Sequence, residues 1–260
     1  MDTQDAGKLL WESAQKGLYY PYALQGRLTL GEAYRVQLEV LGRILASGER
    51  QAGWKIGLTA DAVRALFKSG TAVHGYLLQS NGFPSGHTFD FDQVLAPSIE
   101  SELCFLLRKD LHGPGVTPEE VLDGLDAVCP AFEVLERRGD MATDLPLGVA
   151  DNVSQWAYVL GRPVKPYPKS LDLGQIRAEV RCNGQVVASA LAKDVIDNQV
   201  RSIAWLANSL GAFDRSVEAG QIVMTGSFHR PMPIAKGDRW ETRFSAAGSV
   251  TVGNVTATFA

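Results

Sequence analysis

The sequence is poor in thiols, imidazoles and surplus positive charge. Its 260 residues include three cysteines and four histidines. Cys104, Cys129 and Cys182 are odd in number and form no CxxC pair. A disulfide framework and a thiolate zinc site are therefore not expected, and reduced thiols in a cytoplasmic protein are. His74, His87, His112 and His229 are scattered, with no HxxxH or HExxH spacing, so a histidine-based zinc centre has no support. With 25 Lys+Arg against 29 Asp+Glu, the net charge is −4. Nucleic acid calls for a basic surface, so it is not an expected partner. No apolar run reaches the roughly 18 residues of a membrane span, so no membrane partner is expected either. The opening MDTQDAGKLLWESAQKG is acidic and amphipathic, which does not match a signal peptide. Internal repeats and low-complexity segments are also lacking.

Glycine is what the chain has in quantity: 26 residues, against a usual share of about 7%. Many glycines imply many turns and hence many strands. The first 50 residues read as helical, with Ala33, Val36, Val40, Leu41, Ile44 and Leu45 at helical spacing and Gly48 as a stop. SIESELCFLL (98–107) reads as a buried strand. Thr117-Pro118-Glu119-Glu120 reads as a capping box starting a helix that runs through Val121, Leu122, Leu125 and Val128 until Pro130 stops it. AFEVLE (131–136) follows as a short strand. IRAEVRCNGQVVASA (176–190) reads as a hairpin turning at Asn183-Gly184. A helix is expected over 194–210, a buried strand at 221–226, and two or three strands over 238–259 with a turn at Ala247-Gly248. The expected class is α+β. Residues 1–80 form a helical portion packed on a β-rich core of residues 81–260, together one structural domain.

Chemistry concentrates in Glu100-x-Glu102, inside an otherwise apolar strand. Residues i and i+2 of a strand share a face, with Cα atoms about 6.5–7 Å apart. Two carboxylates turned into a buried sheet repel each other and lose hydration, and a divalent cation removes both penalties. Glu133 repeats the anomaly in AFEVLE. Three carboxylates without His or Cys favour Mg²⁺ or Mn²⁺. A solvated face, or pairing with Arg137 and Arg138, is the alternative reading of the same glutamates. Lys55, in the Gly-flanked apolar GWKIGLT, is a candidate proton carrier or a snorkelling surface lysine. In TGSFHRP, Thr225 to Pro231, a hydroxyl-rich turn with His229 and Arg230 could hold a carboxylate.

Taken in order, GWKIGLT, SIESELCF, DLHGPGVTPEEV, PAFEVLERR, VADNVS, TGSFHRPMP and a late KGD resemble the 2-hydroxypentadienoate hydratase / 4-oxalocrotonate decarboxylase family, within the fumarylacetoacetate hydrolase superfamily. The resemblance runs from about Ala33 to Val252. It implies a mixed β-sandwich roll with an N-terminal helical portion. It also implies that Glu100, Glu102 and Glu133 are the Mg²⁺ (or Mn²⁺) ligands and that Lys55 is the active-site lysine. Thr225 and Ser227 fall in the substrate-facing loop, Arg138 on a basic position behind the third carboxylate, and Arg230 beside the substrate.

The implied activity is a metal-dependent lyase. It would add water to a 2-hydroxydienoate or 2-oxo-heptenedioate, the SFHRP stretch resembling the latter branch. Decarboxylation of 4-oxalocrotonate-type diacids, acylpyruvate hydrolysis and a non-catalytic partner subunit are the alternatives. A homo-oligomer, or a complex with a related hydratase or decarboxylase, is expected. One departure stands out. The acidic pair that hydratases usually carry after Gly-x-Leu is replaced by Gln79-Ser80, leaving Gln79 or Asn81 to orient a water and His74 or His229 to supply an acid/base. A second departure is VIDNQ (195–199), where a Gly-containing turn is usual.

Overall fold

The computed structural model describes residues 1–196, 198–246 and 251–260. Asp197 of VIDNQ and the Ala247-Gly248 turn lie outside them. The chain opens with α1 (Thr3–Ala14) and α2 (Leu30–Ala46), and α2 starts at a capping box between Thr29 and Glu32. Then come β1 (Gln51–Gly57), α3 (Asp61–Leu66), β2 (Val73–Leu78), β3 (Gly82–Pro84), β4 (His87–Phe89) and β5 (Ser98–Leu107). The middle holds α4 (Pro118–Gly124), β6 (Leu125–Leu135), α5 (Leu145–Ala150), β7 (Gln155–Leu160), β8 (Arg177–Cys182) and β9 (Gln185–Leu191). The remainder is α6 (Ala192–Val195), α7 (Gln199–Gly211), β10 (Ile222–Ser227), β11 (Met232–Pro233), β12 (Arg239–Ser245) and β13 (Thr251–Phe259).

Two sheets result. The larger has the order β2-β1-β10-β5-β6-β7-β3, with β11 also pairing with β5; the smaller has the order β4-β13-β12-β8-β9. Alternation along β5 divides its side chains between two environments. Ile99, Leu103 and Phe105 join Phe132, Phe244 and Val255 in the core between the sheets. Glu100, Glu102 and Cys104 take the other face. There the larger sheet curls on itself, bringing β2 against β7. Its concave side is filled by Leu77, Cys104, Cys129, Ala131, Tyr158 and Met224. This is the expected α+β roll. The helical portion ends at Ala46 rather than near residue 80: β1 and β2 are strands of the main sheet, so no packing boundary falls between them and the later strands.

The helix expected to run to Val128 stops at Gly124, and residues 125–135 form one strand with Pro130 inside it. Pro130 costs no ladder bond there. On the β7 side the register ends at Ala131↔Leu160, so a missing N–H falls just past the paired strand, while the Pro130 carbonyl still accepts from Gly161 N–H (2.8 Å). The 176–190 hairpin forms as expected, with Asn183 and Gly184 at φ 52° and 83°.

Candidate active site

Register brings the charged residues together. Glu100 is paired with Glu133 across β5 and β6, Glu102 with Ala131 on the same face, and Ser227 of β10 with Glu102. Carboxylate oxygens of Glu100, Glu102 and Glu133 all lie within 4.8 Å of one another. Glu102 and Glu133 are each 1% exposed, and Lys55 is 3% exposed. Lys55 stands on β1, two strands from β5. Its Nζ crosses the concave face to lie 3.0 Å from Glu133 Oε1.

Three carboxylates, of which Glu100 is only half-buried, and one ammonium leave two negative charges uncompensated when all are ionised. Loss of water is the main reason all three carboxyl groups titrate above their ordinary range, with Glu133 the second influence on Glu100 and Glu102. Oxygen-only donors that converge yet repel fit a divalent cation, which would balance that charge.

A bulge completes the cluster. The β10–β5 register shifts between Met224 and Ser227. Gly226 sits there at φ 109°, and its N–H donates to Glu102 Oε2 (2.9 Å). A side chain at Gly226 would meet Thr59 Oγ1, the residue closing GWKIGLT. The Ser227 hydroxyl donates to the His229 carbonyl (2.6 Å) and also reaches the Glu100 carboxyl.

Other expected residues lie elsewhere. Thr225 is fully buried, and its hydroxyl donates to the Leu103 carbonyl (3.2 Å). Gln79 is exposed, four residues beyond Gly75 along β2. Gly75 is the partner of Lys55, and β2 runs from it towards Gln51, away from the end of the sheet where Glu100 meets Glu133. Gln79 is therefore not placed to orient a water at the carboxylates. Arg230 is exposed, in the loop between β10 and β11. Arg138 is pinned: Nε donates to Asp151 Oδ2 (2.6 Å), Nη1 to Glu136 Oε2 and the Gln155 carbonyl (both 3.1 Å), and Nη2 to the Asp151 carbonyl (2.7 Å).

Neither histidine is a free acid/base. His74 is fully buried beneath Tyr34, with ring centroids 4.1 Å apart, and burial pushes it down to about 3. Its partner on β1 is Ile56, so it faces away from Lys55. The His229 ring is hydrogen-bonded through both nitrogens.

Asn152, within VADNVS, carries a structural role. Asn152, Val153 and Ser154 all have positive φ (59°, 53° and 60°), a costly run for residues other than glycine. The Arg138–Asp151–Glu136 network flanks it. In that turn the Asn152 amide accepts from Tyr76 N–H (2.7 Å) and donates to the Tyr76 carbonyl (3.0 Å), tying β2 across the roll. Nothing local in the sequence signals three successive left-handed residues.

The family described as "Fumarylacetoacetate (FAA) hydrolase C-terminal" matches residues 76–257. The 2-oxo-hept-4-ene-1,7-dioate hydratase of Escherichia coli is 37% identical over 232 residues, covering 86% of each chain. The 2-hydroxyhexa-2,4-dienoate hydratase of Comamonas testosteroni is 35% identical over 228 residues, again covering 86% of each. Among solved structures, the 4-oxalocrotonate decarboxylase of Pseudomonas putida G7, complexed with magnesium and adipate, superposes with TM-score 0.89 at 28% identity, covering 99% of this chain and 97% of that one.

Proposed function

Since the chain belongs to the fumarylacetoacetate hydrolase family, we propose that it is a divalent-metal-dependent lyase that hydrates a 2-hydroxydienoate or 2-oxo-heptenedioate type of substrate. The observation that carries this reading is the convergence of half-buried Glu100 with buried Glu102 and Glu133, with Lys55 3.0 Å from Glu133. These carboxylates would hold Mg²⁺ or Mn²⁺. Bound there, the cation supplies Lewis acidity toward the C1 carboxylate and C2 oxygen of a 2-oxo acid.

The reaction is a sequence of proton movements. A 2-hydroxydienoate loses its C2 hydroxyl proton and gains one at C5. Water then adds its hydroxyl at C4 and a proton at C3, giving a 4-hydroxy-2-oxo acid. Lys55, 3% exposed and 3.0 Å from Glu133, is the group suited to hold or deliver a proton at the substrate. Glu133 keeps its ammonium aimed at the cluster. Ser227, beside Glu100, is suited to turn its hydroxyl from the His229 carbonyl and donate to the substrate carboxylate. Thr225 and Arg138 act behind this layer, holding β10 to β5 and fixing the Asn152 turn. Arg230 is free to meet a distal carboxylate from the loop.

Decarboxylation of a 4-oxalocrotonate-type diacid is the second reading, favoured by Gln79-Ser80 at the positions where hydratases usually carry acids. The test is incubation with Mg²⁺ and either 2-hydroxypenta-2,4-dienoate or 4-oxalocrotonate. Hydration predicts loss of dienoate absorbance with formation of the 4-hydroxy-2-oxo acid. CO₂ release from the diacid alone would overturn it in favour of decarboxylation. We also place the protein in the cytoplasm as a homo-oligomer. Three free cysteines support the first. The uncharged edge strand β9, exposing Val186 and Val187, supports the second.

A further inference from the structure

An antiparallel ladder has a gap beside the carboxylates, and a side chain fills it. β5 pairs with β10 as far as Glu102↔Ser227 and resumes with β11 at Ile99↔Met232. Between them lies Ser101, flanked by Glu100 and Glu102. The next pair in register, Phe228 with Ser101, would exchange two backbone hydrogen bonds. One forms: Phe228 N–H donates to the Ser101 carbonyl (2.9 Å). The return bond does not go to Phe228, because the chain loops out. Ser101 N–H donates instead to His229 Nε2 (3.1 Å).

The tautomer follows from the partners. A backbone N–H can only donate, so Nε2 is the acceptor. A carbonyl can only accept, so Nδ1 carries the proton it shares with the Arg230 carbonyl (2.8 Å). The Ser101 hydroxyl, 2.8 Å from Nε2, continues to Thr242 Oγ1 (2.7 Å) on β12, tying this point to the second sheet. The Ser227 hydroxyl bonds the His229 carbonyl and holds the loop from its other end.

We propose that His229 is a positioning residue: its imidazole replaces the missing strand acceptor and so sets the backbone between Glu100 and Glu102, fixing the bite of the two carboxylates on a divalent cation. This rests on the metal reading above. Without an acceptor, Ser101 N–H would be a buried donor seeking another partner, and the strand between the carboxylates would shift to find one.

The experiment uses the full chain and Mn²⁺ alone as probe. Free Mn²⁺ is followed by electron paramagnetic resonance for the unaltered protein, H229F and H229Q. Phenylalanine keeps the ring bulk without an acceptor, and glutamine restores an acceptor oxygen. H229F is expected to weaken Mn²⁺ binding about tenfold or more, the scale on which groups behind metal ligands act, with H229Q recovering most of it. Imidazole nitrogen shifts of the unaltered protein should show the Nδ1–H tautomer, and the Ser101 amide should exchange slowly with solvent. An Nε2–H tautomer, an H229F affinity unchanged within about twofold, or equal impairment of H229F and H229Q would overturn the proposal. If H229F does not fold, the tautomer and H229Q decide. No Mn²⁺ binding by the unaltered protein would instead overturn the metal reading, with the tautomer and Ser101 exchange still judging the histidine itself.

Discussion

Lys55 Nζ and Glu133 Oε1 stand 3.0 Å apart although they belong to β1 and β6, strands separated in the sheet by β10 and β5. The contact spans the concave face, so it depends on the curl of the sheet and on a long side chain. It also sets two effects in opposition. In the proposed reaction the ammonium would supply a proton at the site, yet its charge would disfavour a divalent cation nearby.

Lys55→Met should separate these effects. Turnover is expected to fall by about 10²-fold or more, the usual share of a positioned acid/base. Mn²⁺ affinity should hold or rise, because a like charge has been removed. Steady-state kinetics and a Mn²⁺ titration on the same variant check both. Unchanged turnover would remove Lys55 from the chemistry.

Glu102→Gln should yield a folded protein that has lost its metal response. The amide oxygen can still accept from Gly226 N–H, so the bulge keeps its bond. The amide replaces a carboxyl group whose ionisation burial disfavours, so the metal-free fold is spared that cost. The melting temperature without metal should match or exceed that of the unaltered protein. The rise on adding Mn²⁺ should vanish. Retained metal-dependent activity would rule out the triad.

The carboxylates were legible because strand alternation makes a charge in SIESELCFLL or AFEVLE conspicuous. The 176–190 hairpin was legible because Asn183-Gly184 has one favourable turn geometry. Other features were not local. Lys55 meets Glu133 only through a non-sequential strand order. Pro130 stops a helix by local rules but is tolerated where β7 has ended. Resemblance assigns Gln79 and Arg138 a position in a pattern without a direction: β2 carries Gln79 away from the carboxylates, and Arg138 is consumed by Asp151, Glu136 and Gln155.

Asn152→Ala should be markedly destabilising. It strips the buried Tyr76 N–H and carbonyl of their partners and places alanine at φ 59°. A loss of about 2–4 kcal/mol is expected in urea unfolding. Asn152→Gly removes the same bonds but tolerates the backbone, so it should cost about 1 kcal/mol less than alanine. Equal losses would show that strain at this turn is not the issue.

The carboxyl cluster makes stability without metal depend on pH in a direction that metal should reverse. Burial, with the Glu133 charge second, raises Glu100 from an ordinary 4.5 to about 8, and Glu102 and Glu133 are also raised. Between those values the folded protein keeps a proton that the unfolded chain has released. The contribution to stability is therefore full below pH 4.5 and is lost as pH rises through about 8. Mn²⁺ needs the ionised carboxylates, so its affinity climbs over the same window. Melting temperatures at pH 6 and 8.5 with a chelator should decline, while the gap opened by saturating Mn²⁺ widens. Glu102→Gln supplies the control, because groups elsewhere titrate equally in both proteins. The difference between the two chelated proteins should grow with pH in favour of the variant, and a difference independent of pH would show that the carboxyl groups are already ionised without metal.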